Sequence, residues 1–265
     1  QAASARSEKS LAFVICCGRT RQHEHPRTAR PRGRKSAAPP SGRRERRDTA
    51  PHAVDHRPAP VSGGALERRA PTTYNTSVPR LIHVTEELRL HESSLRIVAV
   101  ADTHSRPHER SAERIAALAP QAILHAGDIG ELRVLDGLRR IAPVLAVRGN
   151  IDAGAQGVPD TMTVDIADER GAFFKILLLH IAVYGPKLRA DAAKLAHRES
   201  ASLVVCGHSH VPFAARDKGL TVFNPGSIGP RRFQLPIVFG VIDVSRDRVD
   251  VRHVDCETGE RWLPS

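Results

Sequence analysis

Five places along the chain set a residue able to hold a cation or move a proton directly after a short apolar run. Asp102, Thr103 and His104 follow IVAVA, Gly127 and Asp128 follow AILHA, and Gly149 and Asn150 follow VLAVR. His180 follows KILLL, and Gly207, His208, Ser209 and His210 follow LVVC. Taken singly, each has an ordinary explanation. An Asp after a strand often caps a helix or makes a turn, and Gly-Asp and Gly-Asn are common turn dipeptides. Taken together, two carboxylates, one amide and four imidazoles at five strand ends are the inventory of a metal site with nitrogen and oxygen donors. In D-x-H and H-x-H the two donors are alternate residues, which leave an extended chain on the same side.

Such donors need elements that bring them to one rim. LRIVAVA, QAILHA and PVLAV read as buried strands, separated by helical patterns in PHERSAERIAALAP and ELRVLDGLRRIA. Pro107 suits the first turn of the earlier helix, and Pro120 lies beyond its end. TMTVDIA, FFKILLLH and SLVVCG continue as strands, with a helix in GPKLRADAAKLAHRE. LTVFNPGS, PIVFGVIDV and RVDVRHVD close the chain as a run of strands. Apolar strands alternating with helices predict an α/β fold whose sheet is covered on both faces. In such folds ligands bind beyond the carboxyl ends of the strands, where all seven candidate donors fall. His125 lies inside its strand and reads as a core or supporting residue.

The 265 residues suffice for one large domain or two small ones. With 40% apolar and 26% charged residues, the chain has no apolar run near the roughly 18 residues that cross a bilayer, so no membrane partner is expected. The net charge of +11 is unevenly placed: residues 1–95 hold 18 Lys and Arg against 9 Asp and Glu, and residues 96–265 hold 22 against 20. Residues 1–92 contain RPRGRKSAAPPSGRRERRD and HRPAPVSGG, a composition that predicts a disordered basic extension before a folded domain at 93–265. As a nucleic-acid arm this extension would have only Phe13 and Tyr74 for stacking. LAFVICC has the length of a secretory apolar region, but no small-residue cleavage site follows it. The chain begins with Gln and its only methionine is Met162, so it is expected to lack its own start. Four cysteines without C-x-x-C spacing predict a reduced, cytoplasmic setting.

The order D-x-H, G-D, G-N, strand-final His and G-H-x-H resembles the calcineurin-like metallophosphoesterases over about residues 95–254. The spacing, and FNPGS followed by Pro230 and Arg231, is most similar to the small YfcE-like phosphodiesterases. The resemblance implies a two-sheet αββα sandwich of the metallophosphoesterase type. It also implies two divalent ions, Mn2+ first, with Fe, Zn2+ or Ni2+ as alternatives. Asp102, His104, Asp128 and His210 would hold one ion; Asp128, Asn150, His180 and His208 would hold the other. Asp128, Asn150 and His208 are the residues on which catalysis is then expected to rest, and Arg231 is expected to meet the substrate phosphate. A hydroxide bridging the two ions would attack the phosphorus of a small phosphate ester. Ile151 stands where the larger phosphatases of the family carry a histidine, Ile181 where His-Gly is usual, and no glycine follows D-x-H. A β-branched residue at 181 is expected to narrow the site or shift the imidazole before it. Two other readings share the sequence: a non-catalytic scaffold of the same fold, as in the retromer subunit, and a nuclease-like enzyme holding nucleic acid with its basic extension.

Overall fold

Runs such as Ile97–Ala101 and Ile176–Leu179 are apolar at every position because both of their faces are covered. A computed structural model describes residues 12–15, 81–90 and 92–264. Its strands are β1 (Ala12–Ile15), β2 (His83–Arg89), β3 (Ser94–Val100), β4 (Ala122–His125) and β5 (Val144–Ala146). Then come β6 (Thr161–Asp168), β7 (Gly171–Leu179), β8 (Val183–Tyr184), β9 (Lys187–Leu188) and β10 (Leu203–Val205). The last are β11 (Phe213–Asp217), β12 (Leu220–Asn224), β13 (Val238–Ser245), β14 (Arg248–Asp255) and β15 (Arg261–Trp262). The described helices are α1 (Ser111–Ala116), α2 (Arg133–Arg139) and α3 (Ala190–Arg198).

One sheet runs β1-β14-β13-β3-β4-β5, with β15 on β14, and the other runs β11-β12-β10-β7-β6-β2; β8 and β9 form a small ribbon. The alternation of side chains explains the layers. Leu95, Ile97 and Ala99 of β3 share the space between the sheets with Ile176 and Leu178 of β7 and with Phe223. Val98 and Val100 face the other way, to Ile115 of α1 and to Leu135 and Leu138 of α2. Leu177 and Leu179 lie under Ala192, Ala193 and Ala196 of α3. The result is the expected αββα sandwich. Phe223, fully buried at its centre, would cost about 3–5 kcal/mol to truncate to alanine.

Strands β3, β4 and β5 are mutually parallel, as are β7 and β10. Each of the five ends just before one of the donor positions read from the sequence.

Two expectations need correction. The boundary at 92–93 falls too late: β2 pairs in parallel with β6 from His83 opposite Thr161 to Arg89 opposite Ala167. Val84, Leu88 and Leu90 pack on the inter-sheet core, so a chain cut at residue 92 loses an edge strand. Ala12–Ile15 also pairs, parallel to β14. The remainder of the expected extension, residues 1–11 and 16–80, lies outside the described residues. Helix α1 is also shorter than its pattern. Residues 108–111 form a turn in which the His108 carbonyl accepts from both the N–H and the hydroxyl of Ser111, at 2.9 and 2.6 Å. Among the described residues no helix is long and apolar enough to cross a membrane.

Candidate metal centre

Asp102, Asp128 and Asn150 arrive from the ends of β3, β4 and β5 in one sheet, and His180, His208 and His210 from β7 and β10 in the other. His104, two residues after Asp102, completes the set. The chain turns sharply at these points. Asp102, His104, Asp128, His208 and His210 all have positive φ, between 45° and 71°. Side chains other than Gly, Asn and Asp rarely tolerate this region, and such strain persists only where the surroundings enforce it. The loops also touch backbone to backbone. A Cβ at Gly149 would sit 2.1 Å from the Asp128 nitrogen, and one at Gly207 would sit 2.8 Å from Ala101 Cβ, so only glycine allows these approaches.

The side chains converge. One possible donor atom each from Asp102, His104 and His210 lies within 4.8 Å of the others, and the same holds for Asp102, Asp128 and His180. His104 Nε2 is 3.3 Å from His210 Nε2, and His210 Nε2 is 3.5 Å from Asp102 Oδ1. Asp128 faces both groups: its Oδ2 is 3.7 Å from His104 Nε2, and its Oδ1 is 3.3 Å from His180 Nε2. His208 meets His180 edge to face with ring centroids 5.3 Å apart, and the His208 backbone N–H donates to the Asp102 carboxylate at 3.0 Å. Asn150 is exposed and lines the same cavity as His180.

This donor set fits divalent cations. His180 Nδ1 bonds the Ala126 carbonyl at 2.7 Å. A carbonyl only accepts, so Nδ1 carries a proton and Nε2 is the atom turned to Asp128, whose carboxylate, against the cost of burial, holds the ring above the ordinary histidine range; a bound cation would take the place of the Nε2 proton. That buried Nε2 has no hydrogen-bond partner. Two nearly buried carboxylates face imidazoles there, an arrangement that calls for a cation. Burial pushes the Asp102 carboxyl up to about 7, against the pull of His180. Burial would raise Asp128 as well, but the adjoining His180 and the Ile151 N–H outweigh it and hold that carboxyl below the ordinary range. Burial, and then Arg232, push His210 down to about 4. Burial also holds His104 and His208 below the ordinary histidine range, so these rings offer lone pairs at neutral pH.

Supporting residues fix the loops. The Gly127 N–H donates to His125 Nδ1 at 3.2 Å, leaving His125 Nε2 to donate to Thr103 Oγ1 at 3.0 Å. Thr103 in turn donates to the Ile129 carbonyl at 2.9 Å. His125 therefore ties the D-x-H loop to the G-D loop, as its supporting-residue reading expected. Burial pushes it down to about 4, consistent with a neutral ring. Sequence reasoning missed Asp152, although it follows Asn150 by two residues. Its buried carboxylate accepts from the N–H groups of Ile129 (3.0 Å), Gly149 (2.8 Å) and Gly130 (2.9 Å). It also passed over the work of N-P-G-S. Asn224 donates to the Gly207 carbonyl at 2.8 Å and to Ser209 Oγ at 3.1 Å, holding the G-H-S-H turn. Ser227 donates to the Asp102 carbonyl at 2.9 Å.

Arg231 is not at the site. Its guanidinium bonds Glu257 at 2.6 Å and the Leu235 carbonyl at 3.0 Å. The next residue reaches the cluster instead: Arg232 Nη2 lies 3.1 Å from His104 Nε2.

Residues 95–247 match the family model described as the calcineurin-like phosphoesterase superfamily domain. A probable metallophosphoesterase of Methanocaldococcus jannaschii is 30% identical over 139 residues, covering 49% of this chain and 67% of that protein. Another, of Methanothermobacter thermautotrophicus, is 30% identical over 135 residues, covering 49% and 73%. In fold, the chain is similar to the vacuolar protein sorting 29 protein of Entamoeba histolytica, solved in complex with Zn2+. That match has a TM-score of 0.52 and 22% identity, over 63% of this chain and 96% of that one.

Proposed function

Because the chain belongs to the calcineurin-like phosphoesterase superfamily, we propose that it is a metal-dependent phosphodiesterase of the YfcE-like kind. The observation that carries this reading is the Asp128 carboxylate set between two groups of imidazoles, one oxygen toward each. Asp102, His104, Asp128 and His210 would hold one ion, and Asp128, Asn150, His180 and His208 the other. Bound divalent ions contribute Lewis acidity toward phosphoryl oxygens and a water acidic enough to ionise near neutral pH. Mixed nitrogen and oxygen donors suit Mn2+, Fe, Zn2+ or Ni2+ better than Mg2+, and Mn2+ is the working choice.

The protein's own groups define the rest. Arg232 brings a fixed positive charge to His104, where it can neutralise the anionic phosphate and the charge that grows on it. Ile151, half-exposed at the rim, has no proton to give. The leaving oxygen therefore receives little general-acid help from the chain, which favours diesters with good leaving groups over alkyl monoesters. Cys206 and Cys256 are buried free thiols, in keeping with a cytoplasmic setting.

The test is an activity panel. Chelated protein should be inactive on bis-p-nitrophenyl phosphate and regain turnover with Mn2+, with slower turnover of p-nitrophenyl phosphate. Cyclic nucleotides complete the panel. The scaffold reading, which shares the fold, requires that metal-loaded protein turn over none of them.

A further inference from the structure

A cavity of about 870 Å3 opens beside His180 and Asn150. That volume lies within the roughly 300–1,000 Å3 typical of sites that enclose small organic ligands. We propose that it is the leaving-group subsite of this enzyme and that it accepts a nucleotide that departs from a diester through its own phosphate oxygen and carries a second anionic group. The inference rests on the hydrolase reading above and adds the substrate class.

The cavity has two chemistries. Leu81, Leu179, Ile181 and Leu195 supply apolar wall. Arg148, Arg189, Lys194 and Arg198 supply four cations, against the two carboxylates of Asp160 and Asp191. The arginines are engaged: Arg148 with Asp160 at 2.7 Å, Arg189 with Asp191 at 2.6 Å, and Arg198 with Glu199 at 2.8 Å. Lys194 is exposed and makes no ion pair among the described residues. It stands one helical turn from Arg198 on α3, so the two present their charges together. A purely apolar leaving group would leave Lys194 unused, and a purely anionic one would leave the leucine wall bare. A heterocycle bearing a second phosphate satisfies both.

The wall is also built. Ile82 N–H donates to Asp160 Oδ2 at 2.7 Å, the Ile82 carbonyl accepts from the Asp160 N–H at 2.9 Å, and His83 Nδ1 bonds Thr161 Oγ1 at 2.8 Å. These anchors hold residues 81–83 at the cavity, and those residues precede the family domain at 95–247. During hydrolysis the water oxygen bonds to phosphorus, and the bond from that phosphorus to the nucleotide's phosphate oxygen breaks. The water proton ends on that oxygen, and the departing nucleotide occupies the cavity.

The test is calorimetric binding of adenosine 3′,5′-bisphosphate to the full chain, with adenosine and inorganic phosphate as partial ligands. Wild type should bind the bisphosphate at least tenfold more tightly than either. Lys194→Glu should weaken the bisphosphate about tenfold or more, the scale of one charge-assisted hydrogen bond, and leave adenosine unchanged. Leu81→Glu should weaken both the bisphosphate and adenosine. Lys194 and Leu81 are exposed, so both variants should match wild type in thermal unfolding. A bisphosphate that binds no better than inorganic phosphate, or equally in all three proteins, overturns the subsite. Mn2+-dependent turnover of bis-p-nitrophenyl phosphate separates the two claims. Turnover without the binding response removes the subsite and leaves the hydrolase; the binding response without turnover removes the hydrolase and leaves a nucleotide cavity.

Discussion

Replacing Asp152 with asparagine tests whether the metal centre depends on a side chain that touches none of its donors. The carboxylate takes three backbone N–H groups: Ile129 and Gly149 on Oδ2, and Gly130 on Oδ1. Alanine would strip all three, at about 1–3 kcal/mol each, or about 3–9 kcal/mol in total. Set against a typical domain stability of about 5–15 kcal/mol, that would unfold much of the population. Asparagine can keep its oxygen toward Ile129 and Gly149, but its NH2 then faces the Gly130 N–H. One charge-assisted bond is lost and two become neutral, which sums to about 2–4 kcal/mol. For a domain of this size the unfolding midpoint should fall by about 5–15 °C. Asp128 and Asn150 ride on the loops that Asp152 joins, so Mn2+ affinity should fall by tenfold or more in protein that is still folded. Thermal unfolding and Mn2+ titration at about 20 °C read the two effects separately. An unchanged midpoint together with wild-type Mn2+ affinity in the Asp152→Asn variant would refute the argument.

Three further outcomes follow from the geometry. Asp128→Ala should remove the carboxylate that faces both imidazole groups; bound metal should drop toward zero and kcat should fall by about a hundredfold or more, as measured by metal analysis and diester turnover. Arg232→Ala should lower kcat/KM by tenfold to a hundredfold, while Arg231→Ala, which breaks only exposed bonds to Glu257 and the Leu235 carbonyl, should stay within about twofold. His253 is buried, and burial holds it at about 4, below its ordinary 6.5. Its folded-state pKa is depressed, so the stability it contributes is complete above pH 6.5 and lost as pH falls toward 4. Each such proton steepens the fall by up to about 1.4 kcal/mol per pH unit. Urea unfolding between about pH 4 and 7 should show a shallower acid limb in His253→Gln, by about one proton.

The order of most strands and the convergence of the candidate donors are legible because both rest on local patterns. An apolar run covered on two faces looks the same wherever it sits, and a donor at its end is visible one residue later. The remainder depends on partners distant in sequence. HVTEELR carries two glutamates and buries only part of Val84 and Leu88, so β2 looks like a loop until β6 is beside it. Asp152 reads as a turn residue until the Gly127–Gly130 loop brings two of its three N–H groups. The choice between Arg231 and Arg232 is made by Glu257, a carboxylate 26 residues away that claims the first and leaves the second for the site. Ile181 stands out in the sequence only as a departure from His-Gly; the structure places it on the wall of the large cavity.

The pairing of β3 with β13 carries a consequence for how the protein is made. Ile97 sits opposite Ile242, so the strand that leads to Asp102 lacks one neighbour until β13 has been synthesised. All seven donors have left the ribosome once His210 has, yet Asn224 and Ser227, which hold the G-H-S-H turn and the Asp102 carbonyl, come later. A nascent chain stalled between these points presents every donor without the frame that aims them. Tight metal capture is therefore expected only after Ser227 has been made, and translation pausing after residue 210 should leave the candidate donors open to adventitious ions.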